Sequence, residues 1–349
     1  MSVRFGIFDH LERLAGVPLS RQYEDRLCLL EQADRAGVHG YHVAEHHHSP
    51  LCLAPNQAVY LAAVAERTER IRLGSLVHVL PLHHPIRLIE EICMLDQLSG
   101  GRVDLGVGPG TGGGTEFAMW GGDAEQNARR FRETLAIVLR GLSTEFLSYG
   151  GEFFHYQDVW MELRPAQQPH PPLWYAGNFE RAAELGMHFI GAGRIERLPA
   201  MRARFDELWA QHAAAGHGEH AATGTPFFGT MKHTFIADTD AEALDRARRA
   251  YEAYGTHFAK PLPPGADGRS PAATADSGRG PAGAPFDRYV GGEAAVIGSP
   301  RTVRAYVERW AEQSGCNYWV SSFQWGDLTH DEASRSLALF AEEVMPAVR

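Results

Sequence analysis

Residues 71–110 read IRLGSLVHVLPLHHPIRLIEEICMLDQLSGGRVDLGVGPG, and this stretch decides the fold. Residues 71–80 carry Ile71, Leu73, Leu76, Val77, Val79 and Leu80, which predicts a buried strand rather than a half-exposed one. Pro85 opens a helix with Ile89, Ile92, Met94 and Leu95 on it, and Gly100-Gly101 closes it. Residues 102–106 then make the next strand.

The same beat extends in both directions. Upstream, 3–8 is a short buried strand. Ser20 caps a helix with Tyr23, Leu27, Leu30 and Ala33 at helical spacing, with Gly37 just past its end. Residues 40–44 form a second strand, and a helix starts at Pro55 and runs towards Arg67. Downstream, a helix over 124–142 is followed by strands at 173–175, 188–190, 230–237 and 317–322. Helices follow or precede them over 178–186, 198–214 and 240–254, from Pro300, and up to Val344. Eight strands alternating with helices, the strands buried on both faces, predict an α/β chain folded as a closed (β/α)8 TIM barrel with insertions, one domain over 1–349. Two segments break the rhythm. Tyr149-Gly150-Gly151-Glu152 predicts a hairpin inserted before strand five. Residues 259–285, dense in Pro, Gly, Ala and Ser, have almost nothing to bury and predict a mobile loop over the barrel mouth, read as a lid.

Composition narrows the function. The net charge of 33 − 43 = −10 disfavours nucleic acid or an anionic membrane as partner, since both need a basic face. No apolar run is long enough to span a bilayer. The first residues lead directly into a strand without a signal-peptide core, and Cys28, Cys52, Cys93 and Cys316 form no CxxC pair, so a reducing cytoplasm is the expected compartment.

In a β/α barrel the site gathers where the strands end. Strand two ends in Glu45-His46-His47-His48, strand three in His78-Val79-Leu80-Pro81-Leu82-His83-His84, and strand four in Gly106-Val107-Gly108-Pro109-Gly110. Strand five ends in Ala176-Gly177-Asn178, strand six in Gly191-Ala192-Gly193-Arg194, and strand eight in Ser321-Ser322-Phe323-Gln324. Neighbours on a strand end point alternately in and out, so at most two of the three consecutive histidines converge, and no metal site is expected. One imidazole facing the mouth as a proton-transfer group is the stronger reading. Gly108, Gly110 and Gly113 match GxGxxG only formally, because no helix starts directly on that loop and no acidic strand end follows. Glycines there let the backbone approach a flat ligand. Gly177-Asn178 opens a short helix whose N–H groups suit a phosphate, and Asn178 is equally an ordinary N-cap.

Taken together, GYHVAEHHHSP at strand two, the 71–110 segment, PLWYAGN at strand five and the closing VIGSP and SLALFAEEVMP make the chain resemble, nearly end to end, the bacterial-luciferase-like flavin-dependent monooxygenases. The resemblance implies reduced FMN bound noncovalently and supplied by a separate flavin reductase, O2 adding at the flavin C4a to give a peroxyflavin, and oxidation of a small organic substrate. His46 falls on the family's catalytic histidine and Leu76–Val77 on its non-prolyl cis peptide beneath the flavin ring. Gly108 and Gly110 lie along the flavin. Ala176, Gly177 and Asn178, with Gly193 and Arg194 nearby, fall where the phosphate is held, and a homodimer is expected. Pro109 stands where arginine is common, which leaves Arg194, Arg129 or Arg130 to neutralise the phosphate. The competing readings are a deazaflavin-dependent oxidoreductase on the same barrel, a non-catalytic flavin-binding protein and a metal-dependent barrel hydrolase.

Overall fold

The computed structural model of the chain describes residues 2–110, 114–214, 225–258 and 285–348. Its elements run β1 (Arg4–Asp9), α1 (Leu19–Ala36), β2 (Gly40–Val43), α2 (Gln57–Arg67), β3 (Arg72–Ser75), β4 (His78–Val79), α3 (Pro85–Leu98), β5 (Val103–Gly108), α4 (Gly114–Met119) and α5 (Asn127–Ser143). There follow β6 (Phe146–Gly150), β7 (His155–Trp160), β8 (Leu173–Ala176), α6 (Phe179–Glu184), β9 (His188–Gly191), α7 (Leu198–Ala214), β10 (Phe228–Ile236) and α8 (Asp240–His257). The last are α9 (Phe286–Gly291), β11 (Ala295–Gly298), α10 (Pro300–Gln313), β12 (Tyr318–Ser322) and α11 (His330–Leu339), which runs on into a widened π turn at Phe340–Val344.

Strands β1, β2, β3, β5, β8, β9, β10 and β12 pair in that order, all parallel, and β12 pairs back onto β1. The sheet is therefore a closed eight-stranded barrel, as the alternation predicts. Its lumen is filled, not open: Tyr318, Trp174, Ile190, Val320, Phe8 and Leu76 pack together there. Lower in the lumen, Arg72 bridges Asp104 at 2.8 Å and His42 Nε2 meets the Tyr318 hydroxyl at 2.9 Å. A larger apolar layer lies between the outer faces of the strands and the helices. The expected hairpin is present as antiparallel β6–β7, with Phe146 opposite Trp160.

Several details depart from the sequence reading; α1 starts at Leu19 on Pro18 rather than on a Ser20 cap, and α2 starts at Gln57 on an Asn56 cap rather than at Pro55. The strand expected over 71–80 divides into β3 and β4, followed by a 3-10 turn at Leu80–Leu82. The reason lies in its neighbour. β2 ends at Val43, whose carbonyl takes its last ladder bond from Leu76 N–H, and the chain then leans onto β5 alone. The Leu76–Val77 peptide at this break is cis, as the family resemblance implies. A short helix, α4, begins at Gly114 on the loop where none was expected, and the following helix starts at Asn127 rather than 124. β11, unpredicted, extends the sheet by pairing with the second half of β10. Residues 259–284 lie outside the described residues, and with them all of the expected lid except Pro285. No helix among the described residues is long and apolar enough to cross a membrane.

Candidate active site

All barrel strands run parallel, so their C-terminal ends share one rim. There the lumen opens into a cavity of about 240 Å³. Its floor is apolar, from Phe8 at the end of β1, Ala44 just beyond β2, and Leu76 and Val77 between β3 and β4. The wall is polar on one side, where His10 and His46 meet. Phe258, next to the C-terminus of α8, closes another side.

His46 sits three residues past the end of β2, directly after the buried Ala44 and Glu45, with its side chain 32% exposed. Its Nδ1 lies 3.3 Å from Oε2 of Glu116 on α4. A carboxylate accepting Nδ1–H fixes the tautomer and leaves Nε2 as the atom able to take or give a proton. The His10 ring lies 5.6 Å from that of His46. Burial, then the neighbouring imidazoles of His46, His233 and His257, push His10 well below the usual histidine range, so it is neutral at ordinary pH. Its Nδ1 has no hydrogen-bond partner. His10 was missed by the sequence reading, although the signal was present: it follows the end of strand one on the same rim.

Behind His46 stands a second group that a strand-by-strand reading could not assemble. Glu45, with a side chain only 1% exposed, receives His47 Nε2 at 2.9 Å on one oxygen and His83 Nε2 at 2.9 Å on the other. The latter oxygen also accepts Val79 N–H at 3.0 Å, doing for β4 what a strand partner would do. Burial alone would raise the Glu45 carboxyl, but the bonds from His47 and His83 outweigh it and hold the group far below the carboxylate range. In return, burial works against the charge on His83, and Glu45 prevails and raises it. The alternation argument considered only the three consecutive histidines. It could not see that β4 and the turn after it bring His78 and His83 to Glu45.

Of the residues singled out in the sequence, His46, Leu76, Val77 and Gly110 line the cavity together. Gly108 stands beside it. A Cβ there would meet Val77 at 2.7 Å, and one on Gly110 would meet Val79 at 2.6 Å, so close strand packing by itself demands glycine at both. Ala176, Gly177, Asn178, Gly193 and Arg194 do not line this cavity; they stand at the ends of β8 and β9, across the rim. Asn178 caps α6, its side chain accepting Arg181 N–H at 2.9 Å. The Gly193 carbonyl accepts from the buried Lys232 ammonium at 2.7 Å. Of the three arginines considered in place of Pro109, Arg129 is paired with Glu152 at 3.1 Å. Arg130 donates to the Pro81 carbonyl and lies over Phe153 and Phe154. Arg194 is half exposed and 3.4 Å from Glu196. Such an exposed pair is worth at most about 1 kcal/mol, which leaves Arg194 able to turn towards an anion; the Arg129–Glu152 pair is about as exposed, and Arg130 is tied into the packing of the hairpin.

With fold and site in view, comparison with known proteins gives their class. The family model for luciferase-like monooxygenases matches residues 3–317. A protein of Sinorhizobium fredii, y4wF, itself uncharacterized, is 33% identical over 99% of this chain and 97% of its own. The oxygenase component of the flavin-dependent trigonelline monooxygenase of Acinetobacter baylyi is 28% identical over 73% of this chain and 72% of its own. Among solved structures, the monooxygenase RslO1 from Streptomyces bottropensis superposes with a TM-score of 0.81 at 24% identity, covering 98% of this chain and 99% of that one. The oxygenating constituent of 3,6-diketocamphane monooxygenase from Pseudomonas putida, in complex with FMN, gives 0.78 at 21% over 100% and 99%. A coenzyme F420-dependent tetrahydromethanopterin reductase from Methanopyrus kandleri gives 0.69 at 15% over 100% of both chains. The chain belongs to the luciferase-like monooxygenase family.

Proposed function

We propose that this protein is the oxygenase component of a two-component monooxygenase: it takes reduced FMN from a separate flavin reductase and, with O2, oxidises a small organic substrate. The observation that carries this reading is the cavity at the barrel mouth, apolar on its floor and furnished with the His46–Glu116 pair on its wall. The residues fit a flavin ring. Ala44, Leu76 and Val77 offer a flat apolar surface, and the unpartnered His10 Nδ1 offers one hydrogen bond to a polar ring edge. On the far rim, Gly177-Asn178 and a swung Arg194 are the groups that would meet a phosphate. FMN is supported by the family and by the FMN complex of the Pseudomonas relative; the F420-dependent neighbour defines the competing cofactor.

When bound, reduced flavin supplies the electrons that activate O2. The chain's part is to bind, orient and move a proton. The apolar floor excludes water from beneath the ring, which favours a reaction that water would divert. His46 Nε2, with Nδ1 held by Glu116, gives or accepts the proton that the oxygen transfer requires. Neutral His10 contributes a hydrogen bond without adding charge.

We further assign residues 1–349 to one domain and the working form to a homodimer. Val59 on α2 and Met94 and Leu98 on α3 are more than half exposed, as are Phe146 and Trp160 of the hairpin. Exposed apolar side chains on adjoining elements suit a second copy of the chain. The four thiols are free, in keeping with a cytoplasmic setting.

The test supplies reduced FMN and 18O2 with a panel of small aldehydes, ketones, terpenes and N-heterocycles, followed by mass spectrometry. Incorporation of a single labelled oxygen into one of them, dependent on His46, supports the proposal. Oxidation or reduction of substrates without label, driven by the reduced deazaflavin, would replace it with the hydride-transfer reading.

A further inference from the structure

We propose that Glu45, His78 and His83 form a binding site for one divalent first-row transition-metal ion, of the zinc or ferrous type, on a second cavity beside the flavin cavity, with Glu45 in the wall of both. The three residues converge from the end of β2, from β4 and from the turn that follows it. Their donor atoms lie within 4.8 Å of one another. The Glu45 carboxylate oxygen is 2.9 Å from His83 Nε2 and 4.0 Å from His78 Nδ1. An ion in the plane of three atoms so spaced and equidistant from them sits about 2.4 Å or less from each, a few tenths beyond ordinary zinc–nitrogen and zinc–oxygen bonds. Small side-chain shifts therefore close the site.

The Glu45–His83 ion pair accounts for two of the three donors but not for the third. His78 is buried and its Nδ1 has no hydrogen-bond partner, although it faces a carboxylate. At 4.0 Å the distance is too long for a hydrogen bond. Buried polar atoms are rarely left unmatched, and a cation between the imidazole and the carboxylate would satisfy this one. The donor set of two imidazoles and one carboxylate suits zinc or ferrous ion and not magnesium or calcium, which prefer oxygen.

Two further features belong to a built site. The carboxylate is already oriented: His47 holds its other oxygen, and Val79 N–H braces the ligating one. Outer groups of this kind set ligand geometry in metal sites. There is also a way in. Glu45, His78 and His83 line a second cavity of about 380 Å³, with Glu91 and His84, which leaves room for water to complete the coordination.

The experiment uses the full chain, stripped with a chelator and kept free of flavin, so that its outcome is independent of the proposed monooxygenase activity. Zinc is titrated by calorimetry, and cobalt serves as a spectroscopic probe. The expected result is one ion per chain, with visible cobalt bands of a low-symmetry nitrogen–oxygen site. His83→Asn, at a partly exposed ring, and His78→Ala should each weaken binding by more than tenfold. His47→Ala should weaken it roughly 10- to 100-fold through the carboxylate it orients. His155→Ala, on the exposed hairpin, should leave it unchanged. Absence of saturable one-to-one binding, or an affinity untouched by His83→Asn in a variant whose circular dichroism matches the parent, overturns the proposal.

Discussion

At the scale of single residues, the account turns on His46. Its Nδ1 partner, Glu116, comes from α4, an element the sequence did not announce, while its place at the rim was legible from the EHHH run and the family likeness. His46→Ala removes an imidazole that is one-third exposed and belongs to no apolar cluster, so folding and flavin affinity should survive. Turnover should fall by roughly 10²–10⁴, the usual loss for an acid–base group, and steady-state assays at saturating reduced flavin measure it. Unchanged turnover would reduce His46 to a wall residue. What the sequence hid at this scale was convergence. His10, His78 and His83 all stood in view as residues, but the spacing along one strand cannot report a meeting of three loops.

At the scale of elements, the 71–110 segment shows both success and failure. Its apolar run identified a buried strand correctly. The same lack of contrast hid the break from the apolar pattern, because side chains on either side of it are equally apolar; only the family likeness marked Leu76–Val77. β11 escaped for a related reason, being only four residues in a Gly-flanked stretch. The packing of β5 against its neighbour yields a prediction. A Cβ on Gly106 would stand 2.0 Å from the Ser75 carbonyl oxygen, which is backbone and cannot rotate away. Gly106→Ala should therefore cost about 3 kcal/mol or more in urea unfolding. Gly255, inside α8 and with nothing within 4 Å of a new Cβ, is the contrast: Gly255→Ala should stabilise by about 0.5–1 kcal/mol. Equal effects at the two positions would contradict the packing described. On the outer face, Leu98→Glu should shift the sedimentation coefficient from dimer to monomer without changing circular dichroism, and a single species at both would remove the proposed interface.

At the scale of the whole molecule, the barrel was legible because eight repeats of one pattern admit few closed solutions, whereas the contents of its lumen were not. The interior holds an unusual number of neutral imidazoles. Burial, with smaller contributions from neighbouring charges, brings His42, His78 and His188 down to about 3, and burial brings His233 to about 3. In the unfolded chain each titrates near 6.5, so the stabilisation from keeping them neutral is complete above that pH. Below it, the unfolded state takes up protons that the fold refuses, and stability declines towards pH 3 by about 1.4 kcal/mol per histidine per pH unit. Denaturant unfolding should thus show a loss of several kcal/mol between pH 7 and pH 5.5, with net proton uptake on unfolding; a flat profile would mean these rings are not neutral in the fold. The central claim concerns the cavity at the mouth and what it holds. Its most direct test is an anaerobic titration of the protein with reduced FMN and, separately, with reduced F420. The account predicts saturable binding of one reduced FMN per chain, at least tenfold tighter than the deazaflavin; tighter binding of reduced F420, or no binding of reduced FMN, would contradict it.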